Sequence, residues 1–327
     1  MNIVYVSNEA YAGYLGVSLY SLYESNKEEE NLEVYIISTG IGKNSRERLF
    51  STAKIFKRKL HIIDFSDIRE RFKKSGDGGK FDISAMGRLF AGELLPQKIK
   101  RLIYLDCDTI VLRPLKRLWK KDLRGNLLAA VLEPTVSEEM REDIGLGRNW
   151  KYFNSGVLLI DMERWRREGI KDRILAYYEN IRARSIFADQ DAINGALAGR
   201  IAVLSPEYNF FSNYKYWKYE ELLRISPYYR IISKQRYESA RSHPVIIHFA
   251  GEERPWNKGC MNYYKRAYDK YKERSLWKGE PDVGGKRLFM LAYHVMNRMT
   301  LLFPDLRKWI SKKYLEEQKK KRKEAGR

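Results

Sequence analysis

Two aspartates separated by one residue offer the most specific chemistry in this chain. Leu102 to Leu105 is a short apolar run flanked by Lys98, Lys100 and Arg101, and it leads straight into Asp106-Cys107-Asp108. A second apolar run, Ile110 to Leu112, follows. The first run reads as a buried strand. Side chains alternate along an extended chain, so Asp106 and Asp108 point the same way. Paired carboxylates at a strand's carboxyl end form a seat for a hard divalent cation, Mg²⁺ or Mn²⁺, that bridges protein to phosphate. The competing reading is a solvated turn. His248, one of four histidines, sits in Val245 to Trp256, an apolar strand that ends in a polar loop. It reads either as a structural residue or as a third ligand, since neutral imidazole commonly binds metals.

Other residues could handle a polar ligand. Arg88 lies among apolar neighbours in a helical stretch, Ser84 to Leu95. It reads either as a snorkelling surface residue or as a guanidinium reaching a phosphate or sugar. Phe153 to Asp161 reads as a polar turn opening onto a buried strand, where Asn154 either turns the chain or faces a sugar hydroxyl. Asp189-Gln190-Asp191 has helix-start chemistry, with acids in the first turn. It is either a cap or a carboxylate–amide pair beside a ligand. Tyr208 to Tyr219 carries seven aromatic residues, which divide between core packing and a sugar-stacking acceptor surface.

The elements that must position these groups alternate. Ile3 to Val6, Leu32 to Ser38 and Leu60 to Asp64 read as strands; Tyr14 to Tyr23 and Asn44 to Phe56 read as helices. This alternation predicts an α/β fold with a mostly parallel sheet. The loop from Ser7 to Tyr11 after the first strand is a candidate nucleotide seat. It lacks Gly-x-Gly-x-x-Gly, which disfavours a dinucleotide oxidoreductase. Ser75 to Lys80 is a loop by composition.

Sixty-two Lys and Arg against 42 Asp and Glu give a net charge of +20, which calls for an anionic partner: nucleic acid, anionic lipid or nucleotide phosphate. From Val283 onward there are 13 basic and 4 acidic residues, so nearly half the surplus lies in the last 45 residues. Leu288 to Phe303 reads as an apolar helix with a narrow polar stripe of Arg287, His294 and Arg298, ended by Pro304. Leu306, Trp309, Ile310 and Tyr314 form a second amphipathic face, and Lys319 to Lys323 closes the run. Such basic amphipathic helices with Trp and Tyr read as membrane-surface anchors; a helical hairpin packed on the core is the alternative. Cys107 and Cys260 do not suggest a disulfide framework. The N-terminus has no signal-peptide pattern and no run reaches the roughly 20 residues that span a bilayer. A cytoplasmic protein, peripheral on the inner face of the cell membrane, is the expectation.

Five blocks, in order, resemble glycosyltransferase family 8: Val-Ser-Asn-Glu-Ala-Tyr at 6–11, Leu-Asp-Cys-Asp at 105–108, Phe-Asn-Ser-Gly-Val-Leu-Leu-Ile at 153–160, Asp-Gln-Asp-Ala-Ile-Asn at 189–194, and His-Phe-Ala-Gly with Arg-Pro-Trp at 248–256. The chain is similar to bacterial lipopolysaccharide α-galactosyl- and glucosyltransferases and, more distantly, to glycogenin. The resemblance implies a GT-A fold, a Rossmann-like sheet flanked by helices. It implies a UDP-glucose or UDP-galactose donor, Mn²⁺ (Mg²⁺ as the alternative), and retention of configuration. By position, Asp106, Asp108 and His248 would hold the metal, and Asn8 and Tyr11 the uridine. Arg88, Asn154, Asp189 and Gln190 would hold the donor sugar, and Gly251 and Arg254 the diphosphate. Val6, Cys107 and Ser155 lie in the same blocks and complete the donor-binding set. Asn8 stands where the galactosyltransferases have an acid, Arg254 where Lys is usual, and Ser155 where a small apolar residue is commoner.

The expected chemistry is departure of UDP, with the metal and Arg254 offsetting the charge on the diphosphate. An amide or carboxylate on the sugar's other face would help an oxocarbenium-like transition state; Gln190 and Asp191 are the candidates, with Asp189 gripping hydroxyls. The acceptor would be a saccharide of a lipid-linked or surface glycan. Residues 1–260 would form the catalytic domain and 261–327 a basic helical extension for membrane association. The alternatives are a sugar-nucleotide nucleotidyltransferase, which should carry a Gly-rich N-terminal loop, and a basic nucleic-acid-binding protein. Nucleic acid is not expected as a partner because the basic surplus is concentrated in the tail.

Overall fold

The computed structural model describes residues 1–73, 83–147, 149–285 and 287–300, and isolated positions beyond. The loop at 75–80 and most of the chain after 300, including Tyr314 and Lys319 to Lys323, lie outside the described residues.

Among the described residues, ten strands form two sheets. They are β1 (Asn2–Ser7), β2 (Glu33–Ser38), β3 (Lys59–Asp64), β4 (Arg101–Leu105), β5 (Thr109–Val111), β6 (Leu128–Leu132), β7 (Phe153–Asp161), β8 (Ile201–Val203), β9 (Phe210–Phe211) and β10 (Ile246–His248). The larger sheet runs β3-β2-β1-β4-β7-β6-β8, and a smaller one runs β5-β10-β9. The first four strands in the large sheet are parallel to one another. β7 is antiparallel to both of its neighbours, β4 and β6. The expected mostly parallel α/β sheet is therefore present, with one reversed strand inside it.

The strands read as continuous apolar runs because both faces are covered. Ile3 and Tyr5 join one core with Ile103, Leu105 and the helix Ala12–Ser25, while Val4 and Val6 join the other with Leu102 and Tyr104. Leu15, Leu19 and Leu22 on that helix are fully buried; each contributes on the order of 1.5–3 kcal/mol of burial.

Two boundaries differ from the sequence reading, for physical reasons. Phe153 to Gly156 is not a turn but the start of β7. Because β7 is reversed, its polar first residues arrive at the edge where β1, β4 and β6 end, so they need not form a loop. Ser84 to Leu95 is helical, but as a 3₁₀ segment Ile83–Phe90 followed by a short α-helix Ala91–Leu94. The run Ile110 to Leu112 leaves the main sheet, and its strand β5 pairs with β10 instead. That pairing sets Thr109 opposite His248.

Packing continues past residue 260. The helix Lys265–Arg274 lies against the helix Ala12–Ser25, and Trp277 is buried against Gly16, where a Cβ would come within 2.1 Å of the indole. The helix Arg287–Thr300 then docks by a partly polar face: Met290, His294, Asn297 and Thr300 are buried, while Leu288, Leu291, Val295 and Met299 are exposed. The expected polar stripe thus splits. His294 turns inward to Glu253 (Nδ1–Oε1 3.4 Å), and Asn297 donates to the same carboxylate at 3.0 Å.

Candidate active site

The carboxyl ends of β1, β4 and β6 and the start of β7 share one edge. At that edge a cleft of about 200 Å³ is lined by Val6, Ser7, Asn8, Tyr11, Ser84, Ala85, Arg88, Tyr104, Asp106, Cys107 and Asp108. Open α/β sheets bind ligands at this place. Asn8 caps the short 3₁₀ turn Glu9–Tyr11, its Oδ1 accepting from the Tyr11 amide at 3.2 Å. Its Nδ2 donates to Ser84 Oγ at 3.2 Å.

Asp106 and Asp108 lie past the end of β4, Asp108 in the turn before β5, so their carboxylates converge through that turn and not by strand alternation, and β10 brings His248 to them. His248 Nε2 is 3.2 Å from Asp108 Oδ1 and 3.9 Å from Asp106 Oδ2. Ligand atoms of these three residues all lie within 4.8 Å of one another, and among the described residues no other group of His, Cys, Asp and Glu side chains does so. Burial opposes the His248 imidazolium, but Asp108 and Asp106 outweigh it and raise its pKa. Burial opposes the Asp108 carboxylate too, and His248 and Arg254 together hold its pKa down. Gly156 makes room: a Cβ there would lie 2.4 Å from His248 Cε1 and 2.8 Å from Asp106 Oδ2.

Arg88 is neither a surface residue nor free to wander. It is 6% exposed. Nη2 donates to Asp106 Oδ1 at 2.9 Å, Nη1 to the Ser155 carbonyl at 2.7 Å, and Nε lies 3.2 Å from Asp189 Oδ2. Its guanidinium carbon sits 4.3 Å from the centroid of the Tyr104 ring, and the Tyr104 hydroxyl donates to Asp106 Oδ1 at 2.7 Å. Arg88 therefore joins the Asp106 carboxylate to Asp189. Burial pushes the Asp189 pKa up to about 6, against the opposing pull of Arg88. Ser155 Oγ also donates to Asp189 Oδ2, at 3.2 Å.

The helix Asp189–Ala196 starts after Ala188, whose φ of +39° is strained for a residue with a Cβ. Gln190 Oε1 accepts from Asn154 Nδ2 at 2.9 Å and from the Ser155 amide at 3.0 Å. Asp191, a candidate catalytic group by sequence, is engaged elsewhere. It accepts from the Tyr152 and Ser185 hydroxyls and from the amides of Ile186 and Phe187, so it holds the turn before its own helix. On the far side of the cleft, Arg254 Nη1 donates to the Tyr11 hydroxyl at 3.0 Å, and its Nε to the Gly251 carbonyl at 3.1 Å. Gly251 has a φ of +84°, which suits glycine. Cys107 lines the cleft but turns its thiol back to the Val6 carbonyl at 3.2 Å; burial raises its pKa.

Three residues that the sequence reading did not single out belong to this constellation. Glu133 is buried just beyond β6 and receives Tyr214 Oη at 3.1 Å and Asn154 Nδ2 at 3.3 Å. Burial raises its pKa despite the donors around it. The apolar run Leu127 to Leu132 ending in Glu-Pro was its signal, parallel to that of Asp106. Asn209 bridges His248 and Asn154, and nothing in Glu-Tyr-Asn-Phe marks it. Tyr104 could be read only once Asp106 was known to need a donor behind it. The aromatic stretch serves mainly the core, since Phe210, Phe211, Tyr214 and Trp217 are buried.

Fold and site together define a glycosyltransferase of the GT-A type. The glycosyl transferase family 8 model matches residues 2–260, and the chain belongs to that family. It is 27% identical over 280 residues to general stress protein A of Bacillus subtilis strain 168, across 85% of this chain and 94% of that one. It is 25% identical over 287 residues to the lipopolysaccharide 1,2-glucosyltransferase of Escherichia coli K12, across 86% and 80%. Among solved structures, galactosyltransferase LgtC in complex with donor and acceptor sugar analogs superimposes with a TM-score of 0.70 at 23% identity, covering 84% of this chain and 96% of that one. No helix among the described residues is long and apolar enough to cross a membrane.

Proposed function

We propose that this glycosyltransferase moves glucose or galactose from a UDP-sugar to a saccharide acceptor of a lipid-linked or surface glycan, with retention and with Mn²⁺ (or Mg²⁺) as cofactor. The observation that carries the reading is the convergence of Asp106, Asp108 and His248 at the mouth of the cleft formed after β1. Two carboxylates and an imidazole suit a borderline-hard divalent ion, and the missing Cβ of Gly156 keeps the space beside them open. These residues would hold the ion, which when bound supplies a Lewis acid for the charge on the diphosphate.

The remaining steps fall to the chain. Asn8 and Tyr11 would receive the uridine. Arg254, steered by the Tyr11 hydroxyl, would face the diphosphate with a positive charge raised further in pKa by Asp108, against the cost of its own burial. Asp189, fixed by Arg88 and Ser155, would grip sugar hydroxyls, and Gln190 would pack its fixed amide beside the sugar.

The test is UDP release from a panel of UDP-sugars with and without Mn²⁺, beside D108A. Release from one sugar, abolished by metal removal and by D108A, is expected. Absence of both UDP release and Mn²⁺-dependent UDP binding overturns the reading.

Peripheral membrane association is the second part of the proposal. The helix Arg287–Thr300 is apolar on its outer face, with Leu288 81% exposed. The charge of the tail suits an anionic lipid surface.

A further inference from the structure

A buried chain of side-chain hydrogen bonds runs from the metal-ligand candidate His248 to Gln190. His248 Nδ1 is 2.9 Å from Asn209 Oδ1. Asn209 Nδ2 donates to Asn154 Oδ1 at 2.7 Å, and Asn154 Nδ2 donates to Gln190 Oε1 at 2.9 Å. Gln190 Nε2 then donates to the Tyr152 hydroxyl at 3.2 Å, and that hydroxyl donates to Asp191. His248, Asn209, Asn154, Gln190 and Asp191 are all at least 93% buried, so water does not stand in for a missing partner.

The direction of this chain is fixed by two backbone amides, which can only donate. The Gly156 N–H meets Asn154 Oδ1 at 2.8 Å, so the Asn154 oxygen must face that way. Asn209 can reach the same oxygen only with its NH₂. Its own oxygen is then turned to His248, and only an N–H at Nδ1 satisfies it. The imidazole lone pair is thereby left at Nε2, the nitrogen that faces Asp108 and Asp106. At the other end the Ser155 N–H meets Gln190 Oε1 at 3.0 Å and fixes that amide in the same sense. Outer partners of ligating histidines act in this way, setting both tautomer and ring orientation.

We infer that Asn209 is a positioning residue that presents Nε2 of His248 to the metal and, through Asn154, holds the Gln190 amide in register with it. The inference rests on the metal-dependent donor reading above. It links the two halves of the site, diphosphate and sugar, through one residue that touches neither.

Two substitutions separate the links. N209L removes both while keeping the same number and branching of side-chain heavy atoms. N209D keeps an oxygen for the Nδ1–H of His248 but sets a second oxygen against Asn154 Oδ1, so it preserves the first link and breaks the second. Mn²⁺ binding is measured without donor, from the free-ion EPR signal; UDP release is measured with saturating Mn²⁺ and donor; circular dichroism monitors the fold. For N209L, Mn²⁺ affinity is expected to fall about 10- to 100-fold. For N209D, Mn²⁺ affinity should stay at or above the wild-type value while kcat falls about 10- to 100-fold with little change in KM. Wild-type Mn²⁺ affinity in folded N209L overturns the role at His248. Should N209L not fold, weakened Mn²⁺ binding by N209D does the same, because its acceptor for His248 is intact. Full kcat in N209D overturns the link to Gln190. Failure of the donor reading is distinguishable: the wild-type protein would then release no UDP and bind none with Mn²⁺.

Discussion

Gly156 offers the sharpest perturbation of the site, because adding a side chain there changes only space and leaves its backbone hydrogen bonds to Asn154 and Asp106 in place. It sits inside β7, outside the left-handed region, so the backbone accepts alanine. A Cβ built there lies 2.4 Å from His248 Cε1 and 2.8 Å from Asp106 Oδ2. Comfortable carbon contacts need about 3.5–4.0 Å, so the imidazole must withdraw by roughly 1 Å. It has little room to do so: His248 is buried, with the Phe211 ring edge-on at 5.3 Å and Asn209 behind it. Metal–ligand distances are defined to within about 0.2 Å, and two of the three ligands are pushed at once. G156A should therefore lose at least about 10- to 100-fold in Mn²⁺ affinity, or about 1.4–2.7 kcal/mol. The overpacking should cost the fold about 1–3 kcal/mol. Metal-free protein is titrated with Mn²⁺, and thermal melts are run with and without the ion; the wild type should gain stability from Mn²⁺ and G156A should not. Wild-type Mn²⁺ affinity in G156A would refute the placement of His248 and Asp106 around one ion.

Three further outcomes follow from the geometry. R88M leaves the buried Asp189 and the partly buried Asp106 without their shared cation, and urea unfolding of the metal-free protein should show a loss of about 3–5 kcal/mol; a loss below about 1 kcal/mol would mean that the ion pairs are idle. Asp189 has its pKa raised from 3.8 to about 6 on folding, so the folded state holds the extra proton and stability falls as pH rises through that window. The stability of the wild type minus that of D189N should drop by up to about 3 kcal/mol between pH 4 and pH 7; a flat difference in pH-dependent unfolding contradicts the shift. The double substitution L291E/V295E changes only outward-facing residues, and should release the full chain from anionic vesicles in a sedimentation assay while UDP release persists. Unchanged sedimentation counts against membrane docking. Deleting residues 283–327 is a poorer test, since it removes His294 and Asn297 from the buried Glu253 next to Arg254.

Much of the site was legible in the sequence because its signals are local. An apolar strand ending in Asp-x-Asp put two carboxylates at the carboxyl edge of the sheet, although the turn at 107–108, and not strand alternation, brings them together. The first three strands and the helices between them announced themselves by period and length, as did the strand carrying His248. The blocks at 6–11, 153–160, 189–194 and 248–256 contribute residues that the fold indeed gathers at or beside the cleft.

What tertiary structure decided are the properties that depend on partners distant in sequence. Arg88 is a buried keystone because Asp106 and Asp189 meet it from two other elements. Asn154 lies in a strand because β7 is inserted backwards between β4 and β6, which local propensity does not encode. The tail helix turns its histidine inward and its leucines outward because Glu253, 44 residues before Asn297, needed donors. Asn209 had no signal of its own, for its meaning comes from His248 and Asn154 on either side. Composition and period fixed the strands and the place of the carboxylate pair at a strand's end, since those are local properties of the chain. Burial, charge pairing and hydrogen-bond direction came only with the assembled fold, since each is a relation between residues and not a property of any one of them.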